Sequence, residues 1–542
     1  MASSHRERAL GRAGWGPLAN TLIVAGGTLL SRVLGLARDV IIAGRFGTGV
    51  EIEAYRAAFA LIDMVYIVVA GGALGSAFIP VFAGMLAQER EGDAWRLASG
   101  TINLALAALV LACGLMALLA EPLVALTVGQ GFDAAQRGLT VDVLRLLLIQ
   151  PVLLGLGGLA KATLESFDRF ALPAIGSNLY NLGIIAGALL LAPWGVYGLV
   201  AGVLGGAALF LLVQLPGLRT VGMRYTPTLG LDLPGLRQIG RLLGPRLFGQ
   251  SAWQLGLIAI ASVASTLGQG AVAANANALQ LMMLPHGLIA LSLGTVIFPQ
   301  LARLYGAGDL AGLRATALGA VRSVLFLALP AAALLAALRE PVLRAIYQRG
   351  AFNALSTALT AEALLFYALG LAAFAAAEII VRTFYAMQDT RTPVLVGIGT
   401  VLVNIALAVT LPRLLGLGGL GLSFSIANTL EAGILLWLLG RRLGGLPASF
   451  WGGLGRMLLA ALILGAALAA LLALSAGPLP FLASGDTYRW PDQFIPLLAW
   501  LAAASALGAA VYTAAAALLR LDELPALTSR LGALVGRLKR NS

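Results

Sequence analysis

The chain has 542 residues, of which 59% are apolar or aromatic and only 11% charged, with a mean hydropathy of +0.91. Soluble domains are roughly 45–50% apolar and about 25% charged, so this composition excludes a soluble enzyme. The net charge of +12 reads as Lys and Arg collected in cytoplasmic loops, with no nucleic-acid partner expected. One cysteine, Cys113, and two histidines, His5 and His286, exclude a disulfide framework and a Cys- or His-based metal or haem site, and no cofactor is expected.

In chain order, a tail over 1–19 precedes apolar stretches near 20–44, 57–83, 97–119, 138–160, 171–192 and 195–216. A basic linker over 217–239 follows. Further stretches lie near 240–265, 272–299, 316–338, 358–384, 393–411 and 417–439, then 454–475 and 495–518, and a basic tail over 519–542. A spanning helix needs about 20 apolar residues, which predicts an all-α polytopic membrane protein of about fourteen spans. The first stretch carries Arg32 and Arg38 and lacks a processing site, so it reads as a retained span rather than a leader. Lys and Arg are in excess in the tails and even-numbered connections, which places both termini in the cytoplasm.

The two sets of six stretches look related. Gly47, Pro80, Asp168, Pro173 and Gly198 have counterparts in Gly268, Pro299, Asp389, Pro393 and Gly419, at offsets of 221, 219, 221, 220 and 221. An even repeat unit keeps its orientation in the membrane. The expected architecture is therefore two six-helix lobes in parallel pseudo-repeat (20–216 and 240–439) plus two C-terminal helices over 454–518. Parallel repeats are a transporter arrangement.

An ionisable group at bilayer depth costs about 2.5–3.5 kcal/mol on insertion scales and marks function by default. In the first stretch Arg32 and Asp39 fall on one helical face roughly 10 Å apart, while Arg38 points about 120° away. Arg38 and Asp39 also fit an interfacial pair. Arg145 is expected either in a cavity or paired with Asp142 at i, i+3, and Glu378 with Arg382 at i, i+4 has the same two readings. Glu53 is placed at the outer mouth of the second span; Asp63, Glu362 and Glu431 are weaker candidates. His286 follows Pro285 and reads as a hydrogen-bonded helix-break residue. The excess of arginine in the first half favours an anionic ligand, because the guanidinium fork matches phosphate oxygens.

Ser31-Arg-Val-Leu-Gly-x-x-Arg-Asp39, Phe46-Gly47, Ala70 to Pro80, Phe170-x-x-Pro173, Gly287 to Pro299 and Phe384 to Pro393 together resemble the MviN/MurJ lipid II flippase family. The resemblance runs over about 20–440. It implies the fold of the multidrug/oligosaccharidyl-lipid/polysaccharide exporters and transport of lipid II across a bacterial inner membrane, with membrane lipids and cell-wall synthesis machinery as partners. It also implies substrate binding by Arg32, Arg38, Asp39, Glu53 and Arg145, with Ser31, Glu378 and Arg382 as secondary candidates, and no catalytic residue. Many members carry a basic pair where this chain reads Val65-Tyr66-Ile67, and charges where it reads Ala278 to Leu284. An exporter of another lipid-linked polysaccharide or of a drug, a membrane glycosyltransferase using Glu51 and Glu53, and a non-transporting envelope scaffold are the alternative readings.

Overall fold

The computed structural model describes residues 17–69, 72–483 and 487–525, and the side chains of most of them. Residues 1–16 and 526–542, the outer parts of the two expected tails, lie outside the described residues, as do His5 and the C-terminal arginines. The described chain is helical throughout, without strands. It divides into two compact units at Thr266/Leu267.

The first unit holds α1 (Pro17–Phe46), α2 (Val50–Val69), α3 (Gly72–Ala87), α4 (Glu91–Leu118), α5 (Ala120–Leu126) and α6 (Ala134–Leu147). It continues with α7 (Ile149–Glu165), α8 (Ala171–Leu190), α9 (Val196–Leu212), α10 (Leu215–Thr220) and α11 (Pro234–Ser265). Helix α8 lies between α1 and α9. Glycines let α8 and α9 approach closely: a Cβ on Gly187 would lie 2.5 Å from the Gly202 Cα, the small-residue contact typical of helices packed in lipid. Pro151, four residues past the end of α6, lacks the N–H that a continuous helix would use there, and the chain breaks at Leu148. Helix α11 packs on α2 and α3, with Gln254 Nε2 donating to the Ala60 carbonyl at 2.9 Å.

The second unit holds α12 (Ala271–His286), α13 (Ser292–Gly306), α14 (Leu310–Ala337), α15 (Arg339–Ile346) and α16 (Ala354–Ala386). It continues with α17 (Arg391–Thr410), α18 (Pro412–Leu415), α19 (Gly418–Arg442), α20 (Ala448–Ala476) and α21 (Phe494–Leu518). Helix α16 is the centre, touching α12, α13, α14 and α19. Helices α20 and α21 dock on α14: Tyr512 Oη donates to the Phe326 carbonyl at 2.9 Å, and Arg322 pairs with Asp522 at 3.0 Å and with Glu523.

The repeat is present in the backbone itself. Helices α4 and α14 both have 28 residues and start 219 positions apart; α8 and α17 both have 20 and start 220 apart. Left-handed residues recur in the same register: Gly47 with Gly268, Asp168 with Gln388, and Gly195 with Gly416, at offsets of 221, 220 and 221. Asp168 and Gln388 (φ 57° and 60°) carry side chains in a region that disfavours them, so the turn geometry, rather than glycine content, is what the two halves share.

Among the described residues, eleven helical stretches are long and apolar enough to cross a membrane. The expected count of fourteen is therefore not confirmed. The three expected spans outside the eleven correspond to α1, α2–α3 and α11. Side chains of 17–24 in α1 and of 245, 246, 248 and 249 in α11 lie outside the described residues, and α2 carries Glu51, Glu53, Arg56 and Asp63.

Candidate functional site

The first unit gathers polar side chains where α1, α2, α7 and α8 meet. Arg38 on α1 is its centre. Its Nε and Nη2 contact Asp39 Oδ1 at 3.0 Å each, and its Nη1 donates to Asn181 Oδ1 on α8 at 3.1 Å. Three of the five guanidinium N–H donors are thus engaged, and a quarter of the side chain (25%) is exposed whereas Asp39 is buried (2%). Asn181 in turn donates from Nδ2 to Ser31 Oγ at 3.4 Å and to the Ser177 carbonyl at 3.2 Å. Ser31, Arg38 and Asp39 therefore form one connected set through an α8 amide that sequence spacing did not single out.

Around this set stand Tyr55 and Tyr180, both within electrostatic reach of Arg38. Gln150, at the α6–α7 break, donates to Tyr180 Oη at 2.8 Å. Asp63 on α2 lies within electrostatic reach of Arg56 and Arg38. Arg56 is the charged residue that the sequence reading missed. Its signal was available: it lies seven residues before Asp63, two turns along one helical face.

The other expected site residues are placed differently. Arg32 is exposed while Asp39 is buried, so their shared helical face does not give them a shared environment. Glu53 is buried (1%) at the start of α2, where Gln136 Nε2 donates to its Oε2 at 3.2 Å. Arg145 does not pair with Asp142. It reaches across to Glu121 at 3.3 Å and to the Ala117 carbonyl at 3.3 Å, beside the junction of α4 and α5. The i, i+3 partner loses because the carboxylate near that junction lies along the guanidinium's own reach.

In the second unit Glu378 and Arg382 do pair, Oε1 to Nε at 2.6 Å. Gly294 on α13 leaves space for this guanidinium: a Cβ there would lie 2.6 Å from the Arg382 Nε. His286, expected to be hydrogen-bonded, is buried (6%) with Nε2 lacking a hydrogen-bond partner. The reason is local: the helix after Pro285 widens into a π-helical turn over Gly287–Leu291, and the ring lies against Phe374 at 4.3 Å between centroids.

Paired and hydrogen-bonded in this way, the first-unit set holds a partly exposed arginine with donors to spare, a group suited to binding an anion rather than a cation. The family model described as lipid II flippase MurJ matches residues 42–479. A lipid II flippase MurJ of Burkholderia cenocepacia is 33% identical over 443 residues, covering 79% of this chain and 85% of that protein. Among solved structures, one titled lipid II flippase MurJ in an inward closed conformation superposes with a TM-score of 0.74 at 22% identity, covering 92% of this chain and 98% of that one. An inward-facing multidrug resistance MATE family transporter of the MOP superfamily gives a TM-score of 0.67 at 17% identity, covering 76% and 94%; at that identity the likeness is one of fold. This chain belongs to the lipid II flippase MurJ family.

Proposed function

We propose that this protein is a flippase that moves lipid II from the inner to the outer leaflet of the bacterial cytoplasmic membrane, and that it breaks no covalent bond in doing so. The observation that carries the reading is the Arg38–Asp39–Asn181 set that ties α1 to α8. Asp39 and Asn181 fix the guanidinium plane, and the remaining N–H donors of Arg38 take the oxygens of the lipid diphosphate. Charge-assisted bonds of this kind are roughly twice as strong as neutral ones, so they replace the hydration that the diphosphate loses on leaving water. Exposed Arg32, one to two turns along α1, meets the headgroup first. The site then opens alternately to the two faces of the membrane while the lipid tail stays among membrane lipids.

Both termini are cytoplasmic in this reading, and cell-wall synthesis enzymes supply and consume the substrate. Complementation of a flippase-depleted bacterium tests it: wild type restores growth, and Arg38→Ala inserts, accumulates and fails. Full growth with Arg38→Ala overturns the anion site. Cysteine probes at Asp232 and Asp492 test sidedness, with labelling from outside expected at 492 alone.

A further inference from the structure

His286 is buried in the second unit with its Nε2 unpartnered. Leaving a buried polar atom unbonded is costly, so its persistence calls for a reason. The neighbours supply one. Phe374, Glu378 and Arg382 follow one another at intervals of four residues on α16 and so share a face. The imidazole lies on Phe374 at 4.3 Å, which brings Glu378 within electrostatic reach of it. Glu378 is held at 2.6 Å by Arg382, whose Nη1 also donates to Thr295 Oγ1 on α13 at 3.5 Å.

We propose that His286 is a proton-binding site whose loading moves Glu378 from Arg382 towards the imidazolium. A proton from water adds to the lone pair of the unprotonated ring nitrogen, giving an imidazolium that donates from both nitrogens. Glu378 is the acceptor in place, and Arg382 then turns to Thr295. The reverse step returns the proton to water, and nothing is oxidised or reduced. Imidazole is the side chain that titrates near neutral pH. One ring nitrogen and one paired carboxylate are too few ligands for a hard cation, which takes six or more oxygens.

The surroundings isolate this pair. Beyond His286, α12 and the π-helical turn contain no charged residue. Arg303 sits in the last turn of α13, and on α14 Arg314 lies near the start of the helix while Arg322 is held by Asp522 and Glu523. On α16 Glu362 is bonded to the Gly418 amide. On α19 Glu431 lies beside Gly397 of α17 and the basic residues Arg441 and Arg442 fall in the last turn. Among the described residues Glu378 is the one charge that acts on the imidazole. The deformable element beside it is the π-helical turn, a feature that recurs at functional sites.

That proton loading accompanies lipid transport rests on the flippase reading; the proton site itself does not, and the experiment separates the two. The chain has two histidines, so His5→Gln leaves one imidazole for nitrogen NMR on the full-length, detergent-solubilised protein labelled at histidine. Its signal is expected to titrate over a pH series run from neutral into acid, and in Glu378→Gln the midpoint should fall, as removal of a nearby opposite charge does. A signal that stays constant over that range, or a midpoint indifferent to Glu378→Gln, overturns the proposal. In proteoliposomes the pH profile of lipid II movement should flatten in both His286→Asn and Glu378→Gln; an unchanged profile in the two variants overturns the link to transport. If the signal titrates and follows Glu378 while wild type moves no lipid II, the proton site stands and the flippase reading fails.

Discussion

Arg38 and Asn181 are 143 residues apart in sequence and 3.1 Å apart in the structure, and the amide that orients the guanidinium is itself tied to Ser31 on the arginine's own helix. This closes a ring from α1 to α8 and back. A hydrogen bond to a charged group contributes about 1.5–3 kcal/mol, and a mobile guanidinium gives up that much preorganisation when it binds. Asn181→Ala should therefore weaken lipid II binding by roughly 10- to 100-fold, read as the dissociation constant of the purified protein. Asn181→Asp should weaken binding further, because a second carboxylate competes with the diphosphate for Arg38. Unchanged affinity in both variants would remove Asn181 from the site.

Arg32 is exposed and Arg38 partly buried, which separates their roles. Arg32→Ala should abolish complementation while the protein still accumulates in the membrane, and Arg32→Lys should rescue in part, since a point charge lacks the forked geometry. Equal function of the alanine and lysine variants would show that neither charge nor shape at position 32 meets the substrate.

Much of this was legible in the sequence. The apolar stretches mark the helices because length and hydropathy are what a bilayer selects, and of the paired positions that marked the repeat Gly47 and Gly268 are left-handed in both units, while Asp168 is matched by Gln388 instead of Asp389. The site was less legible. Charges were found by their cost, so Arg38 and Asp39 stood out, but Asn181 is neutral and its contact depends on how α1 meets α8, which no spacing along one helix reports. Arg145 shows the opposite error. Local periodicity offered Asp142, and the tertiary fold supplied Glu121 instead.

Where α20 is joined to α21, the chain is held to the second unit by Arg344, which is buried (2%) and donates from Nη1 to the Phe481 carbonyl at 2.8 Å and from Nη2 to Glu340 at 3.4 Å. Arg349 lies over the Trp490 ring at 4.4 Å. Burial lowers the Arg344 pKa from its usual value, with Glu340 and Tyr488 opposing the shift; an arginine so lowered still carries its charge at neutral pH. The bond from this charged group to the Phe481 carbonyl contributes about 1.5–3 kcal/mol. Arg344→Ala should thus raise amide hydrogen exchange over 478–483 and 487–493 by at least tenfold, with little change in α16. Equal exchange in the variant would mean that the apolar contacts of Phe481 and Leu497 hold the segment without the arginine.

Asp389 sits in the turn before α17 and accepts the amides of Arg391 and Thr392 at 3.0 Å each and the Thr392 hydroxyl at 2.6 Å. Arg442, at the end of α19, pairs with it at 2.6 Å. Partial burial raises its pKa, but the Thr392 hydrogen bonds and Arg442 together outweigh burial and hold the carboxyl below its ordinary value. The sign of the linkage follows. A carboxyl whose folded pKa is depressed adds stability above its unfolded pKa of about 3.9, and that contribution is lost as pH falls through the lower folded value. The turn should therefore be fully anchored at neutral pH and loosen only in acid below about pH 4. Asp389→Asn should lower the melting temperature at pH 7 and should narrow its gap to wild type as pH is taken down to about 3, because protonation then removes the same charge from the native turn. Thermal unfolding in detergent at a series of pH values measures this, with Arg442→Gln as the companion. A gap between wild type and Asp389→Asn that stays constant across the series would show that the turn is held by the neutral hydrogen bonds, with no contribution from the ion pair to α19.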